Sequence, residues 1–359
     1  MARILYVAST MEHITHFHSD YIRALKDSGH EVLVMAPDEN ADFNVEFEKK
    51  MLSTKNLKCQ KKIKKIFKEN RFDAVLLNTT LAAFNVRMAL PRRNRPRVVN
   101  FVHGYMFSKK PSGLKEHIFL FSEKFVRSKT DAIIVMNSED LEAVKKYRLT
   151  KGELLFVKGM GAVVNDPIED AESIRERLDS KDSYVIAFTG EFRAVKNQKQ
   201  LIEAFAAVKN EIPNAKLWLL GQGITKDECV QMTEDLGISD SVHFTGRVSN
   251  PTDYIRAVDL YVSPSRQEGL PFNVMEALGV AKPIIATELR GHRDLIEDGV
   301  TGLLYNKESK AELIEKILDV YNERVRFDKE KQLETYKSYS KDSIFDDTLN
   351  VMKRAMNVD

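Results

Sequence analysis

The stretch Ser263–Thr287, SPSRQEGLPFNVMEALGVAKPIIAT, decides the fold. The apolar run Asp259–Val262 leads into it and reads as a strand. Pro271 is expected as the first helical residue, because its missing N–H is not needed there and its φ is already helical. The helix is then expected through Phe272–Leu278, with a stop at Gly279. Pro283–Ala286 reads as a second buried strand. The unit is strand, glycine-bearing turn, short helix, strand, and the free N–H groups at such a helix start attract phosphate. Glu268 lies in the turn, beside the expected phosphate. Glu276 lies on the helix, where a carboxylate accepts two hydrogen bonds from a vicinal diol such as a ribose. A plain crossover helix with two solvated glutamates has the same spacing, so the pattern alone leaves both readings open.

Working outward, Tyr184–Phe188 reads as a strand that runs into Thr189–Asn197 and then the helix Leu201–Glu211. Gly190, Arg193 and Lys196 fall in that turn, where two cations and a helix start form a candidate diphosphate clamp. Solvated surface charges are the other reading. The strand Lys216–Leu220 ends in Gly221-Gln222-Gly223, where a flat base can approach the backbone closely. Val242–Thr245 reads as a strand ahead of Gly246, Arg247 and Val248, followed by a short helix, Tyr254–Ala257. A turn at Gly291–Asp294, a strand at Gly302–Tyr305 and a helix from Lys310 to about Arg324 follow. The remaining tail, Lys329–Val358, is helical and charged.

The first half repeats the α/β rhythm. Arg3–Ala8 is a strand, Ser9–His16 a loop, and Phe17, Tyr21, Ile22 and Leu25 mark an amphipathic helix closed by Gly29. Glu31–Ala36 is the second strand, so a parallel sheet is expected. A dinucleotide site would need G-x-G-x-x-G in the first turn, which holds no glycine; this argues against NAD and FAD. It does hold His13 and His16, with His18 and Asp20 just beyond. The segment Lys58–Arg71 has an apolar stripe, Ile63, Ile66 and Phe67, on a basic helix. Its lysines are either merely solvated or laid against anionic lipid, and Arg92, Arg93, Arg95 and Arg97 form a second basic cluster. Further strands are expected at Asp73–Asn78, Arg97–Val102, Asp131–Val135 and Glu153–Lys158, with helices at Lys115–Ser128 and Glu139–Lys146. His103 and Gly104 end one of those strands, where α/β folds put their ligand crevice.

A chain of 359 residues exceeds one ordinary core, so two domains are expected. No apolar run approaches bilayer-spanning length. Cys59 and Cys229 are isolated, which excludes a disulfide framework and points to a reducing compartment. The net charge of +2 hides an asymmetry: residues 1–165 carry 29 Lys+Arg against 18 Asp+Glu, and the rest carries 26 against 35. A first half at +11 suits a phosphate-rich partner such as a lipid diphosphate or an anionic membrane surface. Nucleic acid is excluded as a partner, since the basic segment lacks interleaved aromatics for base stacking.

Glu268 and Glu276 within SRQEGLPFNVMEALGVAKPIIAT closely resemble the donor-site motif of GT-B glycosyltransferases of retaining family 4. Phe188–Ala204 and Asp294–Leu304 are similar to further signatures of that family, and FHSDYIRALKDSGHEV to its first helix and second strand. FVHGYMFSKK and Asp131–Glu139 resemble the bacterial branch that builds exopolysaccharide, capsule and lipid-linked oligosaccharides. The resemblance implies an α/β chain of two Rossmann-like parallel-sheet domains facing across a cleft. Residues 1–165 would form the acceptor-side domain and 166–335 the nucleotide-sugar-binding domain, with 336–359 a helix packing back on the first. It implies hexosyl or N-acetylhexosaminyl transfer from a UDP-sugar to a lipid-linked or polysaccharide acceptor, with the anomeric configuration kept. No cofactor or metal is expected, and the enzyme would sit on the cytoplasmic face of the plasma membrane. A soluble transferase with a small acceptor such as a sugar phosphate, and a non-catalytic nucleotide- or glycan-binding regulator, are the alternatives.

Carried over by position, Gly190, Arg193 and Lys196 would hold the donor diphosphate, with N–H groups near Gly269 and Leu270. Glu268 would bind the sugar, Glu276 the ribose, and Gly246–Val248 the base. His103 would reach the donor sugar, and His16 and His18 would face the acceptor. Two departures stand out: Glu191 where many members have arginine after the glycine, and Met11-Glu12-His13 where many relatives carry a glycine pair.

Overall fold

A computed structural model describes residues 1–48 and 53–359. Two compact units emerge: Met1–Met160 together with Ile344–Asp359, and Gly161–Ser343. The first holds seven strands: β1 (Arg3–Val7), β2 (Glu31–Ala36), β3 (Phe43–Asn44), β4 (Ala74–Leu77), β5 (Arg97–Val102), β6 (Ala132–Val135) and β7 (Glu153–Phe156). They pair in parallel in the order β3-β2-β1-β4-β5-β6-β7. The second holds β8 (Tyr184–Thr189), β9 (Ala215–Leu220), β10 (Val242–Gly246), β11 (Leu260–Ser263), β12 (Ile284–Thr287) and β13 (Leu303–Tyr305), in the order β10-β9-β8-β11-β12-β13. Central strands such as β4, β6 and β12 are buried at every residue, which is why they read as unbroken apolar runs. In each sheet the winding reverses beside its first strand, between β1 and β4 and between β8 and β11. Open parallel sheets bind ligands at the carboxyl ends of the strands at that point.

Several expectations change in detail. Pro271 lies outside the helix Phe272–Gly279 as its cap residue, with ψ at 120°: its ring fixes φ and leaves ψ free. Gly279 is the last helical residue, and the left-handed position falls at Ala281. A Cβ on Gly279 would meet Val164 Cγ2 at 2.6 Å and Tyr336 Cδ2 at 2.8 Å, so close packing demands the glycine. Most of the expected loop Ser9–His16 is helical: Met11–Phe17 form a helix, because Thr10 caps it by accepting from the His13 amide. The Gly291–Asp294 turn is part of the helix Arg290–Leu295.

The charged tail is two helices, Lys329–Tyr339 and Lys341–Met356, not one. Ala162 explains the break: its amide donates to Tyr339 O (3.0 Å) and its carbonyl accepts from Lys341 N (2.9 Å). This tie also keeps residues 161–165 and 336–343 in the second unit, which moves both expected boundaries by several residues. From Ile344 onward the chain rejoins the first unit. Phe345 stacks on Tyr21 with 4.5 Å between ring centroids, Thr348 Oγ1 donates to Gly159 O, and His30 Nε2 bonds Asp359 O at 2.8 Å.

Candidate active site

In the second unit the loops after β8 and β11 meet. Arg266 N donates to Val195 O at 2.7 Å. Asn197 takes a left-handed conformation that asparagine tolerates, and its Nδ2 donates to Pro264 O (3.2 Å) and Gln200 Oε1 (2.9 Å). These ties bring two predicted site residues from different loops together: Lys196 Nζ lies 2.6 Å from Glu268 Oε1. The pair is mostly shielded, with side chains 24% and 9% exposed. Burial is the largest single influence and pushes the Glu268 carboxyl up, but the Lys196 charge, the His292 charge and the hydrogen bonds from Lys196 and Ser265 together hold the carboxyl below its ordinary range. Beneath the loop His292 is fully buried, with Nδ1 2.7 Å from Thr287 O and Nε2 3.2 Å from Ser263 Oγ. Sequence reading passed over His292, which sits in the short stretch read as a turn.

Glu276 projects from the helix Phe272–Gly279, half-buried and without a hydrogen-bond partner among the described residues. Burial raises its carboxyl to about 7. Nearby, Thr189 Oγ1 and Asn273 Oδ1 are buried and unsatisfied. Buried polar groups are nearly always paired, so this cluster is a candidate place for polar ligand atoms. Arg193 is exposed and pairs with Glu191 at 3.4 Å.

Three predicted features fit less well. Gly221 and Gly223 do let backbone come close, but the backbone is the chain's own: an added Cβ would lie 2.2 Å from Gly190 O and 2.4 Å from Phe192 O. Val248 packs on the core cluster around Trp218, so its side chain is committed inward. Leu270 is buried, which leaves only its backbone for a ligand. Gly246, at the end of β10, accepts from Gly221 N at 2.8 Å, and Gly269 is half-buried in the loop ahead of the helix.

In the first unit the expected histidine site forms with one change. His18 Nε2 and His103 Nε2 are 3.0 Å apart, and the His13 ring packs edge-on to His103 at 4.5 Å. His16 is exposed and turned back to Glu12 O at 2.8 Å, so His13 takes the place expected of it. A pocket of about 170 Å³ opens here at the ends of β4 and β5, with His13, His103, Asn78, Thr79 and Asn100 among its walls. Asn78 Oδ1 is buried without a partner.

Burial, then the neighbouring histidine charges, lowers all three rings: His13 to about 4, His18 and His103 well below the usual value. Both members of the close pair are therefore neutral near pH 7, and one Nε2 must donate to the other. His18 Nδ1 is buried without a partner. An orphaned N–H is rarer than an orphaned acceptor, which places the His18 proton on Nε2 and the His103 proton on Nδ1. His103 then offers a hydrogen-bond donor, not a base, at its other edge. Nitrogens of His13, His18 and His103 lie within 4.8 Å of one another, close enough for a metal ion. Metal-bound histidines almost always have their second nitrogen hydrogen-bonded, and His18 does not, so the cluster fits a hydrogen-bonded pair better than a metal centre.

Residues 170–341 match the family model for glycosyl transferases group 1, and residues 18–155 the model for glycosyltransferase family 4. The chain belongs to the GT-B glycosyltransferases of family 4. The enzyme is 29% identical over 333 residues to the putative glycosyltransferase EpsD of Bacillus subtilis, covering 89% of this chain and 87% of that one. It is 22% identical to an Escherichia coli UDP-Gal:alpha-D-GlcNAc-diphosphoundecaprenol alpha-1,3-galactosyltransferase, over 76% of this chain and 72% of the relative. Its fold matches that of Anabaena HepE, solved with UDP and glucose, with a TM-score of 0.77 at 18% identity, over 99% of this chain and 100% of HepE. No helix among the described residues is long and apolar enough to cross a membrane.

The glycosyltransferase is expected to be less stable than its Glu276→Gln variant at neutral and alkaline pH. The raised carboxyl holds its proton longer in the folded than in the unfolded chain, where its value is about 4.5. Its contribution is therefore full below that value and lost as pH rises through about 7. Urea unfolding of the variant should show a gain of about 1–3 kcal/mol above pH 7 and none in mild acid. A gain of equal size at both pH values would mean that the carboxylate is not strained by burial.

Proposed function

We propose that the enzyme moves a sugar from a nucleoside diphosphate sugar, with uridine as the base, to a lipid-diphosphate-linked or polysaccharide acceptor, keeping the anomeric configuration. The observation that carries the reading is the Lys196–Glu268 ion pair beside the unpartnered Glu276. A donor diphosphate competes with Glu268 for Lys196. Once Lys196 turns to phosphate, Glu268 is released to accept hydroxyls of the sugar. Glu276 accepts from the ribose hydroxyls. Arg193 and the N–H groups at the start of the helix Phe272–Gly279 add positive potential as charge develops on the leaving diphosphate. These groups carry the role that a metal ion would otherwise have, and none is proposed. The bond from the anomeric carbon to the diphosphate oxygen breaks, and one from that carbon to the acceptor oxygen forms on the same face. The acceptor proton passes to the departing diphosphate oxygen, which fits a sequence that offers no convincing carboxylate nucleophile.

In the first unit the polar pocket suits a hydroxyl-rich end of the acceptor, with His103, expected from the resemblance to reach the donor sugar, instead offering its Nδ1–H to an acceptor oxygen and His13 and His18 beside it. The Escherichia coli relative, a UDP-Gal:alpha-D-GlcNAc-diphosphoundecaprenol galactosyltransferase, and HepE, solved with UDP and glucose, support a UDP-sugar donor and a diphosphoundecaprenol-linked acceptor. The excess positive charge of residues 1–165 supports an acceptor presented at an anionic, cytoplasmic membrane face.

A panel of nucleotide sugars screened by thermal shift tests the donor half, because a ligand bound only by the folded state raises the melting temperature. One UDP-sugar is expected to stand out. Its affinity should rise with pH through about 7 as Glu276 ionises, and this dependence should vanish in Glu276→Gln. Transfer from that donor to a lipid diphosphate and to a sugar phosphate, with NMR of the product anomer, then separates the two acceptor classes. A panel with no responding donor would remove the reading.

A further inference from the structure

The first unit presents an apolar surface that the proposed reaction does not use. The helix Leu114–Val126 leaves Leu114, Phe121 and Phe125 exposed at 80%, 69% and 60%. Steps of seven and four residues put all three on one helical face, and the two phenylalanine rings stack with 6.3 Å between centroids. Grouped exposed apolar side chains of this size mark an interaction site.

Cations surround it. Lys115 and Lys124 are exposed on the same helix. Beside Phe125 lies a depression of about 260 Å³, where Arg92 and Lys129 join Met88 and Val126 in the lining. Burial, and then the charges of Arg92, Lys64 and Arg95, holds the Lys129 ammonium below its ordinary range. Arg92 of the 92–97 cluster thus lies next to Phe125, and Lys64 of the helix Lys55–Glu69 is near enough for its charge to act on Lys129. Arg95 and Arg97 are taken up by Asp131 and Glu153. Lys58, Lys61, Lys62, Lys64, Arg92 and Arg93 are exposed with no ion pair among the described residues. The acidic groups of the aromatic helix are drawn away: Glu116 accepts from Ser108, and Glu123 is buried against Arg87.

We propose that this face docks the enzyme on an anionic lipid bilayer, with Phe121 and Phe125 entering the acyl boundary while Arg92, Lys64 and their neighbours meet lipid phosphates. An apolar wedge with a cationic surround is the combination that binds such interfaces. A second copy of the chain is disfavoured, because a symmetric pairing would set one cationic surround against another. The inference names the surface for the membrane association in the proposed function and rests on that reading.

Co-sedimentation with vesicles of phosphatidylcholine alone, or mixed with phosphatidylglycerol, tests it. The full chain is expected to bind only the anionic vesicles. Phe121→Ser/Phe125→Ser should weaken that binding by about tenfold or more, the scale of withdrawing one phenylalanine from an apolar phase. The one native tryptophan, Trp218, is buried, so Phe125→Trp adds a reporter whose emission should shift to the blue on anionic vesicles. No vesicle binding, or equal binding by the double serine variant, would overturn the proposal. So would a concentration-dependent dimer that the double variant abolishes, or an acidic protein as the occupant of the face. The nucleotide-sugar thermal shift, run on the same variants, keeps the two readings apart. Donor binding without vesicle binding sinks only the docking face, and vesicle binding without any donor sinks only the transferase reading.

Discussion

Arg87→Leu is expected to cost the first unit about 3–5 kcal/mol, the largest loss from any single substitution considered. The guanidinium is fully buried and forks onto Glu123, with Nη2 to Oε1 at 2.7 Å and Nη1 to Oε2 at 2.9 Å. Nη1 also donates to Thr130 Oγ1 and Nε to Ala83 O, so the side chain ties together the helices Thr80–Ala89 and Leu114–Val126 and the turn ahead of β6. Leucine fills much of the volume but leaves the Glu123 carboxylate buried and unpaired. The penalty is then the desolvation of that charge, not a lost attraction. Arg87→Leu/Glu123→Leu should recover most of the loss, because a buried ion pair roughly breaks even against apolar side chains of similar size. The melting transition of the first unit should fall by about 6–20 °C in the single variant and by far less in the double. Equal losses in both would show that packing, not charge, sets the cost. Glu123 also lines the histidine pocket, so the double variant shows whether that pocket keeps its shape without the pair.

How much of this was legible in the sequence depends on how local each feature is. The unit from β11 to β12 was readable because its apolar runs and glycines act within a few residues of where they stand. Pro271 falls one residue outside the expected helix because a proline ring is as compatible with an extended ψ as with a helical one. A loop over Ser9–His16 gives no reason to prefer His13 over His16, whereas the helix Met11–Phe17 does. Thr10 followed by Glu12 is a helix-start signal, and helical spacing then turns His13 and His16 in different directions. The resemblance gave Lys196 and Glu268 separate ligands. The structure joins them to each other across 72 residues of sequence, a contact that no periodicity encodes. Arg87 and Glu123 stand 36 residues apart on two helices and were equally invisible. Two basic clusters are visible as composition; that Arg92 lies beside Phe125, within reach of Lys129, requires the fold.

Lys196→Ala is expected to lower kcat/KM for the donor by about 2–3 kcal/mol, roughly 30- to 150-fold, the scale of losing a charge-assisted contact to phosphate. The same substitution should change the stability of the second unit in a way that depends on pH. In the intact enzyme Lys196 holds Glu268 below its ordinary carboxyl range, so the pair contributes stability above the unfolded value, lost as pH falls through the depressed one. With the lysine removed, only His292 and the Ser265 hydroxyl oppose burial, the largest single influence, and Glu268 is expected to rise. Stability is then greatest in acid and falls as pH rises toward neutrality, so the slope reverses sign. Glu268→Gln added to Lys196→Ala removes the buried charge and should restore most of the stability at pH 7. It should not restore turnover, since neither the cation for the diphosphate nor the carboxylate for the sugar is present. Kinetics and urea unfolding of the two single variants and the double variant therefore separate what the ion pair does for the fold from what it does for the donor. If turnover returned together with stability, Lys196 would be a structural lysine, and the diphosphate would have to rest on Arg193 and the helix start alone.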